Sequence, residues 1–348
     1  NSLVGYATEE ELEQDLTYGD MFAAIEFRDK VHTEMDIVAR TFQRFKDVQL
    51  TQDEDLATFK AAKKELKDRL YKLNETLNKK LHQSTTEKHS YDQWLTTHQP
   101  FHWLAEFYEI IHDNGGFDVV IGNPPYVEYS KRNVKYTIGT YETLKCSNLY
   151  AFVFERSYRI SKNAAMIVQL SAVGTDSMKT LQGFLLKEYN SIHFGCYPER
   201  PKQLFEGACI ALSIIIGRNT KEKSLKGCGV CRTSDEGRKC LFNSLNYTDI
   251  SSNDFIKGYQ LFPKFKSSIE NGIATKIFKD TPRGKYVSLT PTSDALSYRT
   301  AGGRYWKIVI NRQFKTQSTS NKTKYINDTI SSFSLVSILN SNLMWWYY

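Results

Sequence analysis

Gly116-Phe117-Asp118-Val119-Val120-Ile121-Gly122-Asn123-Pro124-Pro125-Tyr126-Val127-Glu128-Tyr129 is the stretch that decides how the chain is read. Phe117 to Ile121 is a short, β-branched apolar run, the pattern of a strand buried on both faces. Gly122 ends it, and two prolines follow at once. Each holds φ near −65°, donates no hydrogen bond and pushes the residue before it out of the α region. The spacing therefore predicts a stiff, extended loop at a strand's carboxyl end, where open α/β sheets place ligands.

The inventory of that loop suggests its chemistry. Asn123 offers a side-chain carbonyl and Pro124 a backbone carbonyl, two acceptors suited to the two hydrogens of an NH₂ group. Tyr126 adds a flat face for a ring. The exocyclic amine of a base is conjugated and poorly nucleophilic. Acceptors that favour its pyramidal form, with the lone pair localised, act mainly in the transition state.

Asn123-Pro124-Pro125-Tyr126 after an apolar strand resembles motif IV of the amino-group DNA methyltransferases, chiefly those that make N6-methyladenine. The longer pattern, Phe101-His102-Trp103-Leu104 and then 116–126, is similar to the large adenine methylases of restriction–modification systems. These include type IIG enzymes, in which nuclease, methylase and DNA-specificity regions share one chain. The four loop residues also occur in methylases of RNA and of protein glutamine, so the substrate class rests on the longer string. The resemblance implies S-adenosyl-L-methionine as cofactor and an adenine flipped out of double-stranded DNA. It implies a catalytic loop of Asn123, Pro124, Pro125 and Tyr126, with Tyr126 and Phe205 stacking on the base and Gly122, Asn148 and Tyr150 beside the cofactor.

Composition is consistent with that reading without demanding it. The chain has 348 residues, 41% hydrophobic and 24% charged, enough for two domains or three. No apolar run is long enough to span a membrane, and residues 1–15 are not a signal peptide. A net charge of +7 permits a polyanion partner. Six cysteines in this length suggest reduced thiols and a cytoplasmic protein. Cys228, Cys231 and Cys240 supply three thiols, but no histidine lies between Cys196 and the C-terminus to join them. They read as free cysteines in a loop, and no metal site is expected.

Upstream of the decisive stretch the pattern is helical. Apolar residues from Met21 to Phe45 (Met21, Phe22, Ile25, Val31, Met35, Val38, Phe42, Phe45) recur at helical spacing. Thr51 with Glu54 has the form of a capping box. Leu66, Leu70, Leu73, Leu77 and Leu81 alternate steps of four and three, which predicts two long helices packed as an antiparallel hairpin. The lysines at 60–80 either track phosphates or form a solvated face. Glu65-Leu66-Lys67 has a nuclease-like Glu-x-Lys form but falls on this helix. Residues 90–112 read as one aromatic-rich helix leading into the key strand and packing on the sheet.

Downstream, 128–145 is polar and predicts a mobile loop over a base or DNA backbone, with Lys131 and Arg132 as DNA contacts. Asn148-Leu149-Tyr150 opens a helix. The family carries Asp/Asn-Leu-Tyr near the cofactor's adenine, and an N-cap asparagine with core aromatics explains the same residues. Strands are predicted at 164–170, 191–197 and 209–216, with a helix at 178–189. The family often has Pro-Ser where this chain has Leu170-Ser171-Ala172. Phe205-Glu206-Gly207 before the last strand resembles motif VIII; a buried turn aromatic is the alternative. Residues 219–251 read as a loop or linker, and 262–271 as a connecting helix. From 280 onward the order resembles the opening of a target-recognition domain with Arg299, Arg304 and Lys307 as DNA contacts. The alternative there is a β-rich accessory domain.

The fold class is therefore α/β: the second half of a Rossmann-like methyltransferase sheet, a helical N-terminal region and the start of a target-recognition domain. The expected domains are 1–115 (helical, with the hairpin), 116–218 (partial catalytic core), 219–279 (linker and helix) and 280–348 (recognition). No glycine-rich cofactor loop precedes Phe117, and the apolar run at 344–348 is an unusual terminus. The expectation is a fragment of a site-specific adenine-N6 DNA methyltransferase, poor at holding the cofactor alone, whose cofactor-binding and nuclease segments lie upstream in the same parent. Two other readings remain, a bifunctional endonuclease–methylase parent and a non-catalytic DNA-binding module.

Overall fold

The computed structural model describes residues 1–348 apart from 17–20, 52–55, 87, 140, 208, 252–261, 279–285, 289, 301–307, 316, 328–329, 343 and 345–348. The chain divides into two units, Asn1–Ile273 and Ala274–Tyr348.

The first unit opens with α1 (Glu9–Leu16), then α2 (Met21–Leu50) and α3 (Leu56–Gln83). The last two run antiparallel. The Phe45 ring meets Phe59 near one end, and Lys80 lies over the Phe27 ring near the other. Val31, Met35 and Val38 bury against Leu66, Leu73 and Leu77, with Leu70 and Leu81 half-buried beside them. The leucine stripe thus does what its spacing requires. Phe22, Ile25 and Phe42, counted in the same pattern, stay exposed. Thr51 returns its hydroxyl to Asp47 O over 2.8 Å, and the Glu54 half of the capping box lies outside the described residues.

The single helix expected at 90–112 is three: α4 (Tyr91–His98), α5 (Trp103–Glu106) and α6 (Tyr108–His112). Pro100 explains the first break, since it offers no N–H and excludes the α region for its predecessor; Gln99 turns left-handed at φ 44°. Leu104, Ala105 and Tyr108 join the helical core. His102 is sealed there, its Nδ1 accepting from Tyr6 N (3.0 Å) and its Nε2 meeting Asn78 Oδ1 (2.9 Å).

Next come β1 (Val120–Gly122), α7 (Leu149–Ile160), β2 (Asn163–Gln169), α8 (Lys179–Glu188), β3 (Ser191–Tyr197) and β4 (Leu212–Arg218). They are followed by β5 (Ser224–Val230) and β6 (Thr248–Asp249), and the six-stranded order is β1-β2-β4-β3-β5-β6. β1 is parallel to β2, and β3 to β5, while β4 runs antiparallel between β2 and β3. The four strands β1, β2, β3 and β5 therefore share one direction, and their carboxyl ends share one edge of the sheet. Tyr158 of α7 meets Phe184 of α8 edge-on at 5.6 Å, so both helices cover the same face.

Four expectations are corrected here. β1 is a short edge strand, not one buried on both faces: it has a single strand partner, and Val119 and Ile121 are exposed. The strand expected at 209–216, the last of the predicted half-sheet, is β4 and lies in the sheet's interior between β2 and β3. Residues 219–251 contain β5 and β6 in place of a linker. Glycine and lysine are poor strand formers, but Gly227 lies under Phe194, where a Cβ would come within 2.8 Å of the ring. Cys228 accordingly sits in a strand. The connecting helix is α9 (Ser268–Phe278), starting later than expected. Pro263 breaks the earlier start, Phe262 is buried against Phe194, and Ser267 Oγ accepts from Glu270 N.

The second unit holds β7 (Val287–Ser288), β8 (Ala295–Arg299), β9 (Val309–Ile310) and β10 (Asn321–Ile326), in sheet order β7-β10-β8-β9, then α10 (Ser332–Leu339). Leu296, Val309 and Ile326 form its core. Ser331 caps the helix by accepting from Phe333 N.

Candidate functional site

The loop after β1 leaves the sheet at the shared carboxyl edge. Gly122 closes the strand against β2, where an added Cβ would lie 3.0 Å from Met166 Sδ. Asn123 stands exposed, Pro124 is buried and Pro125 exposed. Tyr126 folds back over the strand ends. Its hydroxyl donates to Asn123 Oδ1 (2.7 Å) and lies 3.0 Å from Ile167 O on β2. Partial burial pushes the phenol pKa up, so it remains a donor across the neutral range.

The next residues stitch this loop to the start of α7. Leu149 N donates to Val127 O (3.0 Å), Tyr129 N to Ser147 O (2.9 Å), and Glu128 bridges Asn148. Asn148 caps α7 by accepting from Tyr150 N at 3.4 Å. Tyr150 is fully buried, presents its ring edge-on to Tyr126 at 6.2 Å, and meets Ser171 Oγ at 3.3 Å. The loops after β1 and β2 and the N-terminus of α7 thus form one connected post. Among the described residues no hydrogen bond is accepted by the Pro124 carbonyl. The arrangement can present one amide oxygen, one free backbone oxygen and an aromatic ring.

Gly122, Asn123, Pro124, Pro125, Tyr126, Asn148 and Tyr150 are therefore brought together. Phe205 leaves the same edge on the loop after β3, is 42% exposed, and makes no ring contact with Tyr126 among the described residues. Lys131 and Arg132 are exposed, but their segment is pinned down. Tyr129 packs on Phe152 at 5.4 Å, Tyr141 and Thr143 are buried, and a 3-10 turn spans Glu142–Cys146. Arg299 is exposed at the end of β8. Arg304 and Lys307 lie outside the described residues. Glu65 of the Glu-x-Lys pattern pairs with Arg44 (3.5 Å) and Arg69 (4.0 Å), and no group of metal ligands exists among the described residues.

Sequence reasoning missed the ionic cluster that holds this post to the N-terminal segment. Arg156, on the buried face of α7, gives Nη1 to both oxygens of Glu11 (2.7 and 2.8 Å) and Nε to Tyr141 Oη at 2.8 Å. Arg159 reaches Glu11 and Glu155, and Glu155 accepts from the backbone N–H groups of Glu142 (3.0 Å) and Thr143 (2.9 Å). Burial works to raise the Glu11 pKa, but Arg156 and the bonds it accepts bring it below the ordinary carboxylate value. The one local signal is that Glu155 and Arg156 follow directly on the apolar run at 149–154. A cleft of about 420 Å³ lined by Arg156, Arg159, Tyr6 and Trp94 lies beside this cluster; none of residues 123–126 lines it.

An open α/β sheet with covering helices on one face and an Asn-Pro-Pro-Tyr loop at its carboxyl edge is a methyltransferase-type fold. The profile of the Eco57I restriction-modification methylases matches residues 25–198, and the chain belongs to that family. Among curated proteins there is no match. One similar solved structure is a nuclease-deletion mutant of the Type ISP restriction-modification enzyme LlaGI in complex with a DNA substrate mimic. It is 12% identical with a TM-score of 0.38, over 70% of this chain and 25% of that one. The DrdV–DNA complex is 10% identical with a TM-score of 0.34, over 52% and 23%. A type I restriction-modification methyltransferase subunit from Streptococcus thermophilus is 17% identical with a TM-score of 0.27, over 37% and 31%. The chain spans less than a third of the length of each.

Proposed function

We propose that this chain is the base-binding and recognition part of a site-specific adenine-N6 DNA methyltransferase of a restriction–modification system, working in the cytoplasm on double-stranded DNA. The observation that carries the reading is the loop 123–126 at the sheet's carboxyl edge, with Asn123 exposed there and its Oδ1 held by the Tyr126 hydroxyl at 2.7 Å. Adenine N6 is out of reach within the stack, so the base is flipped. Asn123 and Pro124 then accept the two N6 hydrogens, drawing the nitrogen toward its pyramidal, nucleophilic form. Tyr126 and Phe205 hold the ring between them, which requires the Phe205 loop to close over it. Lys131, Arg132, Arg299, Arg304 and Lys307 serve phosphates and base edges.

S-adenosyl-L-methionine is the methyl donor this reading requires. The residues assigned to it do not make its site by themselves. Tyr150 is fully buried with its hydroxyl on Ser171, and Asn148 Oδ1 is engaged in capping α7. We assign the cofactor's principal contacts to other segments of the parent protein, in keeping with a type IIG-like architecture. The helical region 1–115 and the recognition region 280–348 belong to the same proposal, while the sheet that carries the loop continues past 218 through β5 and β6.

The test is Asn123→Ala in the full-length parent, with methyl incorporation into adenine and DNA binding measured side by side. Loss of methylation by about 10²–10³-fold with binding retained is the expected result, the cost of removing one preorganised polar group. Unchanged methylation would sink the reading and favour a silent DNA-binding module.

A further inference from the structure

Cys228 and Cys231 lie where β5 ends, at the same sheet edge as the candidate site, and their sulfurs are 3.3 Å apart. Between them Gly229 takes the left-handed conformation at φ +64°, and a Cβ there would come within 2.8 Å of Lys266 Cβ. The turn is thus confined to a glycine and pressed against the irregular segment that leads into α9. Cys231 N donates to Cys196 O at 2.8 Å, which anchors the second cysteine to the end of β3. A disulfide needs a sulfur separation of about 2.05 Å, so closure asks roughly 1.3 Å of movement from two side chains already facing each other.

We propose that Cys228 and Cys231 are a reversible dithiol–disulfide pair whose state governs the segment that follows it and, through that segment, the loop carrying Phe205. The two thiols have unequal roles. Cys231 is half-exposed, while Cys228 is 2% exposed. A hydrogen bond from Cys228, with the Lys266 charge nearby, brings the Cys231 thiol down, and the same contact with burial pushes Cys228 up. Cys231 is therefore the attacking sulfur and Cys228 the resolving one. Its neighbour Cys196 is fully buried, its thiol pushed up to about 12 by burial, and takes no part. No third ligand joins the pair into a metal site among the described residues.

The oxidant is a low-molecular-weight disulfide. The Cys231 thiolate attacks one of its sulfurs; that S–S bond breaks, and one thiolate leaves, forming a mixed disulfide. Cys228 gives up its proton and attacks the Cys231 sulfur, releasing the second thiolate. Two protein thiols are oxidised, one disulfide is reduced to two thiols, and their two protons end on the departing sulfurs. In a reducing compartment such a bond is transient, the behaviour of a sensor.

The segment beyond the pair is tied to the Phe205 loop. Arg238 bonds Glu206 Oε1 and Gln203 O, each at 2.9 Å, and Lys202 pairs with Asp235 at 2.8 Å. Phe242 packs edge-on to Tyr197. A change in the turn at 228–231 reaches residues 202–206 through these contacts.

The experiment uses the full chain in glutathione buffers of graded oxidation, quenched in acid, alkylated and digested with trypsin. Lys226 and Arg232 release residues 227–232 as one peptide. Expected is that peptide, unalkylated and short of two hydrogen atoms, rising with glutathione disulfide and reversed by dithiothreitol. Cys228→Ser should instead accumulate a glutathione adduct on Cys231. Recovery of the dialkylated peptide from folded chain in excess glutathione disulfide, when denatured chain forms the disulfide, overturns the pair. Amide exchange at 202–206 should differ between the oxidised and reduced forms; identical rates would remove the coupling to the Phe205 loop.

Discussion

The Tyr126 hydroxyl occupies one lone pair of Asn123 Oδ1 over 2.7 Å, so the oxygen assigned to a target amine is already held in place by its own loop. A carbonyl oxygen has two lone pairs, and the second remains for an incoming N–H. The bond therefore orients the amide. It also ties Tyr126 to the strand ends.

Tyr126→Phe keeps the ring and removes this orientation. Methylation by the parent should fall by about fivefold, in line with one hydrogen bond of ~1 kcal/mol. Tyr126→Ala also loses the stacking face, worth roughly 1–3 kcal/mol per base, and should fall further. Initial rates at saturating DNA and the Kd for duplex check the pair, and equal loss in both variants would show that the ring does not stack.

His102 sets an acid limit on stability. Burial, and after it the Arg156 charge, brings its pKa down to about 3 from 6.5. The folded chain keeps the ring neutral while the unfolded chain protonates it. Stability is therefore full above pH 6.5 and declines as pH falls toward 3. Between pH 7 and 5 the loss should be roughly 2 kcal/mol. Denaturant titrations at both pH values check this, and His102→Gln should flatten the difference even where it lowers stability overall. His193 is shifted the same way, so the comparison must be wild type against variant.

Arg156 is 6% exposed and bridges Glu11, Tyr141 and the carbonyls of Leu3 and Gly5. Arg156→Met leaves the half-buried Glu11 carboxylate with Arg159 and the Ala7 N–H only, and should cost about 3 kcal/mol. The double change Glu11→Gln with Arg156→Met should recover part of that. Full additivity in a double-mutant cycle would show the two residues to be uncoupled.

Gly217 lies beneath Tyr189, where a Cβ would meet the ring at 2.6 Å. Gly217→Ala should destabilise by about 1–3 kcal/mol through overpacking, and Tyr189→Leu should relieve it. Thermal melts of the single and double variants read the effect.

The helix hairpin, the strand–loop–helix order around Asn123 and the cap at Asn148 were legible in the sequence. Each is set by local spacing: a leucine period, a proline pair, an asparagine before an apolar run. A sealed histidine at 102 was not, because its partners Tyr6 and Asn78 are distant in the chain. Glu11 and Arg156 are separated by 145 positions, and nothing local marks them as partners.

From sequence alone came the decisive loop and the class of sheet that carries it, since proline geometry and β-branching act on adjacent residues. Only tertiary structure decided that β4 lies inside the sheet, that a glycine- and lysine-rich stretch is a strand, and that two cysteine sulfurs face each other. Those outcomes depend on which surface a neighbouring strand or ring offers. A backbone that lacks side chains of its own accepts strand pairing when a ring such as Phe194 needs the space that a glycine leaves.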